Sequence, residues 1–391
     1  MGLFMAQRRR SAGWLARVGI AFALTCAGHS VLAASPCEAA PQLNDGWQVE
    51  ASPTAAGLDA DRLCTVLRNL ADGEANIHGL IIARHGRLVA EVYHGGKDER
   101  VKDLFRTTRT FDAATLHDIR SISKSVTSLL WGIAQGQGKT PPLDTPVLSL
   151  FPELADLNRD GREAITLAQM LSMSSGLAWN EWRATSLFNN DEFGLFWHTS
   201  QARYVFNRSM AAPAGAQFNY NGGNTAVLAQ LLADRVGMTL PEYARKQLFE
   251  PLGITDWEWV DDYRGRPLAF AGVRLRPRDL ARIGQLVLQH GQWNGRQVVP
   301  AEWIAESTRP HIDTGMGLQY GYQWWLGKVT VSGTEQAWVG GIGNGGQRLW
   351  ILPGLDMVVV TTAGDYNQRA SWKQAETLLD QVMATVQPAP K

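Results

Sequence analysis

Apolar positions along the chain fall into readable periods. Leu63, Val66, Leu67 and Leu70 recur at helical spacing, so residues 60–70 read as an amphipathic helix. Residues 80–84 and 88–93 are strand-like runs, and the polar His85-Gly86-Arg87 between them predicts an antiparallel hairpin. From about residue 121 to 252 the helical period dominates: Val126, Leu129, Leu130 and Ile133 make one stripe, and Ala226, Leu228, Leu231 and Leu232 another. Pro141, Pro142, Pro152, Gly215 and Gly222-Gly223 punctuate these helices. Strand runs return at 324–326, 337–339, 348–352 and 357–361, divided by turns that contain Gly or Pro. A helix from about 371 to 386 closes the pattern.

Strands at both chain ends and helices between them predict an α+β fold. An antiparallel sheet lobe flanked by helices would carry an inserted, mostly helical lobe. The expected division is a sheet lobe of about 35–110 plus 265–391 and a helical lobe of about 111–264. The N-terminus is set apart from both. Arg8, Arg9, Arg10 and Arg17 precede an apolar run over 18–27, with the small residues Ala33 and Ala34 beyond it. That order predicts a secretory signal peptide over residues 1–34, because the run is short of the roughly 20 residues a membrane span needs. The mature catalytic unit would be 35–391, periplasmic or secreted. Cleavage would remove Cys26 and leave Cys37 and Cys64 as candidates for a disulfide in an oxidising compartment.

Composition narrows the partners. With 45% hydrophobic and 19% charged residues, the 391-residue chain can bury a sizeable core. Lys+Arg and Asp+Glu both number 37. Zero net charge lacks the cationic excess that nucleic acid or an anionic membrane surface would require. A small molecule is the expected partner.

Among motifs, Gly138-Lys139-Thr140 looks like the end of a phosphate-binding loop. The glycine needed five residues earlier is Ile133, and the stretch closes a helix rather than opening one. The histidines show no zinc spacing and no Gly-x-Ser-x-Gly elbow is present, so neither a metal nor a cofactor is expected. The informative segment is Ser121-Ile122-Ser123-Lys124, at the start of an apolar-periodic helix. Three residues apart, Ser121 and Lys124 share a helix face. A serine needs a neighbouring base to take its proton, and a lysine in a partly desolvated cleft can serve.

This segment resembles the Ser-x-x-Lys motif of the serine β-lactamase and penicillin-binding-protein superfamily. Residues 170–177, 249–254 and 278–284 extend the resemblance, which spans about residues 80 to 386. Tyr320-Gly321-Tyr322-Gln323-Trp324-Trp325 and Gly343-Asn344-Gly345-Gly346-Gln347 bring it nearest to the class C-like branch of esterases and 6-aminohexanoate-dimer hydrolases. The resemblance implies Ser121 as acylated nucleophile, Lys124 as base, and Tyr220 as a proton relay with a depressed pKa. Where the second motif often carries Asn, this chain has Gly222, and Asn224 is a nearby substitute. The Lys-Thr-Gly or His-Thr-Gly of the third motif corresponds to Asn344-Gly345-Gly346, or to Gly345-Gly346-Gln347 one residue later. No cation stands in the motif itself. The Gln347 and Ser121 amides would form the oxyanion hole, and Trp179, Trp182, Trp324 and Trp325 fall where cleft walls are expected. The implied activity is cofactor-free hydrolysis of a small ester or amide. A β-lactamase or D-amino-acid peptidase, or a non-catalytic sensor module on the same fold, are the alternatives.

Overall fold

The computed structural model of the chain describes residues 37, 39–72, 75–182, 184, 186 and 189–387. The expected signal segment, with Cys26, lies outside the described residues. A nine-stranded sheet organises the rest. Its strands are β1 (Gln48–Val49), β2 (Ile77–Arg84), β3 (Arg87–Tyr93), β4 (Ile312–Asp313), β5 (Gln319–Tyr320), β6 (Trp325–Val331), β7 (Thr334–Gly343), β8 (Gln347–Leu352) and β9 (Met357–Ala363). They run in the order β1-β3-β2-β9-β8-β7-β6-β5-β4. Every neighbour is antiparallel except β1, which lies parallel to β3. Both chain ends therefore supply the sheet, and β9 from the C-terminal run docks directly on β2.

Alternation places the two faces. Ile81, Ala83, Leu349, Ile351, Val358 and Val360 point into one core, shared with α2 (Ser123–Gly136), α3 (Gly222–Val236) and α4 (Pro277–Leu288). Their neighbours Leu80, Ile82, Trp350, Leu352, Met357 and Val359 point into a second core with α1 (Ala60–Asp72) and α5 (Ala370–Met383). Central strands buried on both faces read as continuous apolar runs, which is why β2, β8 and β9 stand out in the sequence. Cys37 and Cys64 are joined as a disulfide that ties the start of the described chain to α1.

Two details depart from the sequence pattern. The turn between β2 and β3 has two residues rather than three, because Arg87 already pairs with Arg84; His85 and Gly86 take φ of 53° and 72°. Strands β6 and β7 run well past their apolar stretches. Their outer halves carry the exposed Lys328 and Glu335, 2.8 Å apart, so no hydrophobic signal marks them. The helical middle is real in α2 and α3, but between them lie only short helices such as Leu167–Leu171 and Gln201–Phe206, joined by irregular loops. Among the described residues no helix is long and apolar enough to cross a membrane.

Candidate active site

Ser121 sits in a tight turn, Arg120–Ile122, that leads into α2. The turn is set by its neighbours. Arg120 adopts φ of 51°, a left-handed conformation that costs a non-glycine residue energy and survives only when the surroundings impose it. Its guanidinium is held 3.5 Å from Asp118, over the Tyr366 ring at 4.2 Å, and donates to the Glu99 carbonyl. Ser123 then donates to the Arg120 carbonyl at 2.7 Å and accepts the Val273 N–H at 3.0 Å. Val273 belongs to the strand Val273–Leu275, which pairs with His117–Asp118 just ahead of the turn. The nucleophile candidate is thus pinned to a ribbon on one side and to α2 on the other.

One helical turn on, Lys124 is 1% exposed. Its Nζ lies 3.1 Å from Ser121 Oγ and donates to the Phe270 carbonyl at 3.1 Å. It also lies over the Tyr220 ring, 4.7 Å from the centroid. Tyr220 immediately precedes α3, whose N-terminus is capped by Asn221 Oδ1 accepting the Asn224 N–H at 3.1 Å. Burial pushes the Tyr220 phenol well above its ordinary pKa, Glu181 and Glu192 add to the rise, and a hydrogen bond with Ser121 opposes it. The depressed pKa expected from the sequence is therefore reversed: Tyr220 is a neutral phenol. Around it stand Trp325 at 5.5 Å, Trp182 at 5.4 Å and Tyr320 at 6.3 Å between ring centroids.

Two carboxylates that sequence reasoning missed complete the cluster. Glu181 Oε1 and Glu192 Oε2 lie 3.6 and 3.5 Å from Lys124 Nζ. Glu181 Oε2 accepts the Gly222 N–H at 2.7 Å and the Trp179 indole N–H at 3.0 Å. Gly222 has a packing reason. A Cβ there would fall 2.6 Å from Glu192 Oε2 and 3.1 Å from Glu181 Oε2, so the glycine vacates the space that the carboxylates fill. Asn224 is fully buried on α3, and neither side-chain atom has a hydrogen-bond partner among the described residues.

The β7–β8 turn lies against the same segment, since a Cβ on Gly343 would meet the Ile119 carbonyl at 2.6 Å. Gly345 and Gly346 take φ of 93° and 99°, which favours glycine, and Gly345 packs on the Tyr366 ring. Asn344 exchanges hydrogen bonds with Asn367 at 2.7 and 2.8 Å. The buried Gln347 side chain is spent on structure, donating to the Ala363 and Asn344 carbonyls and accepting the Ala363 N–H, so only its backbone can face a substrate. The motif carries no cation of its own, but the next residue does. Arg348 is buried, donates to the Gly343 and Gln347 carbonyls and lies 4.8 Å over the Trp372 ring; burial lowers its pKa to about 10. Adjacent tryptophans divide by strand parity. Trp325 faces Tyr220 whereas Trp324 belongs to the other core. Trp182 remains 46% exposed at the rim, and Trp179, Glu181 and Trp182 share in lining a cavity of about 260 Å³.

A profile of the Beta-lactamase family matches residues 67–381. The chain belongs to that family. A 6-aminohexanoate-dimer hydrolase of Paenarthrobacter ureafaciens is 27% identical over 348 residues, covering 84% of this chain and 81% of the relative. Among solved structures, a hydrolase with promiscuous acyltransferase activity superposes with a TM-score of 0.66 at 15% identity, covering 86% of this chain and 100% of the other. A family VIII carboxylesterase gives 0.62 at 14% identity, covering 83% and 97%.

In this β-lactamase-family hydrolase a hydroxyl, an amine, a phenol and two carboxylates share one buried corner. One set of side chains has metal-ligand chemistry among the described residues, namely His78, Asp98 and His117. Its atoms already have partners. His78 Nδ1 and His117 Nε2 share a hydrogen bond of 2.8 Å, and Asp98 accepts from Tyr366 OH at 2.8 Å.

Proposed function

We propose that this β-lactamase-family hydrolase cleaves small esters or amides through an acyl-enzyme on Ser121. The observation that carries the reading is the 3.1 Å contact between Lys124 Nζ and Ser121 Oγ, with the neutral Tyr220 beside both. Ser121 Oγ attacks the substrate carbonyl carbon while its proton passes to Lys124. The oxyanion is taken by backbone N–H groups, for which Ser121 and Gln347 are the candidates. As the bond to the leaving group breaks, the leaving atom receives a proton from the Tyr220 hydroxyl, which takes the proton of Lys124 in the same step. Water then attacks the ester, its proton returning by the same pair, and the acid and free Ser121 are regenerated. The indole surfaces of Trp182 and Trp325 favour an apolar acyl group. The Cys37–Cys64 disulfide supports an exported protein.

Turnover of short-chain p-nitrophenyl esters by wild type and Ser121→Ala, with mass mapping of a fluorophosphonate adduct, tests the assignment. A fall of about 10³-fold or more and an adduct on Ser121 are expected. Equal turnover, or an adduct elsewhere, refutes it.

A further inference from the structure

Outside the Ser121 corner a second buried group of polar side chains converges. His78 on β2, Asp98 on the strand Gly96–Asp98 and His117 on the strand His117–Asp118 bring their ligand-capable atoms within 4.8 Å of one another. The hydrogen-bond partners fix which ring nitrogens carry protons. Asn76 Nδ2 donates to the Lys97 carbonyl at 2.7 Å and Asn76 Oδ1 accepts the Lys97 N–H at 3.1 Å, so the amide has one orientation. His78 Nε2, 3.1 Å from that same oxygen, must donate to it. His117 Nδ1 likewise donates to the Asp118 carbonyl at 3.0 Å. A neutral imidazole carries hydrogen on only one nitrogen. His78 Nδ1 and His117 Nε2 are then both bare, and two lone pairs face each other at 2.8 Å.

We propose that His78 Nδ1, His117 Nε2 and an Asp98 oxygen are the ligands of a divalent transition-metal ion of the Zn²⁺ kind. Two imidazoles and a carboxylate suit such an ion, whereas Mg²⁺ and Ca²⁺ take oxygen ligands. The outer nitrogens are held as in metal sites: each ring donates its other N–H to a fixed oxygen, which sets its orientation and makes the inner nitrogen more basic. An extra proton between the rings would meet the same lone pairs only by turning one ring into an imidazolium. Burial opposes that charge and lowers both histidines to about 4. Zn–N bonds of about 2.0–2.1 Å at a tetrahedral angle put two nitrogens about 3.3 Å apart, so the rings need part by only about 0.5 Å.

The surroundings are shaped to this pair. Phe111 stacks on the His78 ring with 4.1 Å between centroids. A Cβ on Gly96 would fall 2.2 Å from Asn76 Oδ1, and one on Gly364 would fall 2.5 Å from Asn76 Nδ2, so both glycines make room for the amide that orients His78. The role is structural, tying three strands together. Asp98 also accepts the Tyr366 hydroxyl at 2.8 Å, and the Tyr366 ring lies 4.2 Å from the Arg120 guanidinium, so the ion would steady the turn that carries Ser121. The inference does not depend on the acyl-transfer reading.

The test uses the full, untagged chain, freed of metal with EDTA and titrated with Zn²⁺ by calorimetry. One equivalent should bind with a Kd of about 1 μM or tighter. Saturating Zn²⁺ should raise the melting temperature by roughly 3 °C or more, and the same concentration of Mg²⁺ should leave it unchanged. Co²⁺ in place of Zn²⁺ should give the visible absorption of a tetrahedral nitrogen and oxygen site. Asp98→Asn and His117→Gln should each weaken Zn²⁺ binding by about 100-fold or more. The absence of a saturable equivalent, undiminished binding by both variants, or an equal shift with Mg²⁺ overturns the proposal. So does a low-field imidazole proton resonance that persists in saturating Zn²⁺, because proton and ion compete for the same lone pairs. The wild-type stoichiometry, Co²⁺ spectrum and proton resonance decide the matter even where a variant fails to fold.

Discussion

Two buried clusters of charge in this molecule are built on opposite plans. Beneath α4, Arg278 donates to both oxygens of Glu91 at 2.5 and 2.9 Å, to Asp45 at 3.0 Å and to the Pro41 carbonyl at 2.6 Å. Asp279 is clasped by Arg276 at 2.6 Å and Arg282 at 2.8 Å. Planar guanidinium groups and carboxylates match fork to fork, so most donors there have an acceptor. At Ser121 the single cation, Lys124, has two carboxylates at 3.5 and 3.6 Å, and one oxygen of Glu192 is left over. Fuller pairing fixes protonation and freezes geometry, which suits a brace between the N-terminal segment and the sheet. Incomplete pairing leaves a buried carboxylate oxygen without a donor, an arrangement found where chemistry is done rather than where a fold is braced.

The sharpest way to break this contrast is to remove the cation from each cluster. Lys124→Met should lower ester turnover by about 10³-fold, the range a general base supplies. Its melting temperature should barely change, because Glu181 keeps its two N–H donors. A loss of several degrees would show that the cleft cluster also braces the fold. Arg278→Met should do the reverse. It strands Glu91, itself 2% exposed, without its partner, and removing one member of a buried pair costs about 3–5 kcal/mol. Chemical denaturation would measure this, with turnover per folded molecule unchanged. Adding Glu91→Leu should restore much of the stability, and failure to do so would mean that packing rather than charge holds that corner.

How much of each cluster could be read from the chain follows from the same contrast. Arg278-Asp279 and Arg282 lie within one helix, so their stretch supported the family resemblance before any geometry was known. Ser121 and Lys124 were legible because a short spacing and a helix start bring them together, and Tyr220 was legible only through the resemblance. Glu181 and Glu192 were not. They come from an irregular segment with no hydrophobic period, and the 11-residue gap between them says nothing about proximity. The one available signal was Gly222, a visible departure at the second motif. Its meaning, a space surrendered to two acids, required coordinates. The sheet shows the same limit. Strands β2, β8 and β9 announce themselves by doubly buried runs, whereas the two-residue strands β1, β4 and β5 are too short to carry a period.

The smallest expected difference lies in how pH acts on stability. In Asp45, burial alone would raise the pKa, but the hydrogen bond and charge of Arg278, with Arg282, outweigh it and hold the carboxyl below its usual 3.8. A group depressed in the folded state stabilises above its unfolded pKa, and that contribution disappears as pH falls through the folded value. Glu192 has the opposite sign. Raised above 4.5 by burial and Glu181, it stabilises below the unfolded pKa, and its contribution is lost as pH rises through the folded value. Denaturant titrations across pH should therefore show an acid-side loss that Asp45→Asn reduces and an alkaline-side loss that Glu192→Gln removes. If Glu192→Gln leaves the alkaline side unchanged, the carboxyl is ionised throughout, and the cleft cluster is no more proton-labile than the brace beneath α4.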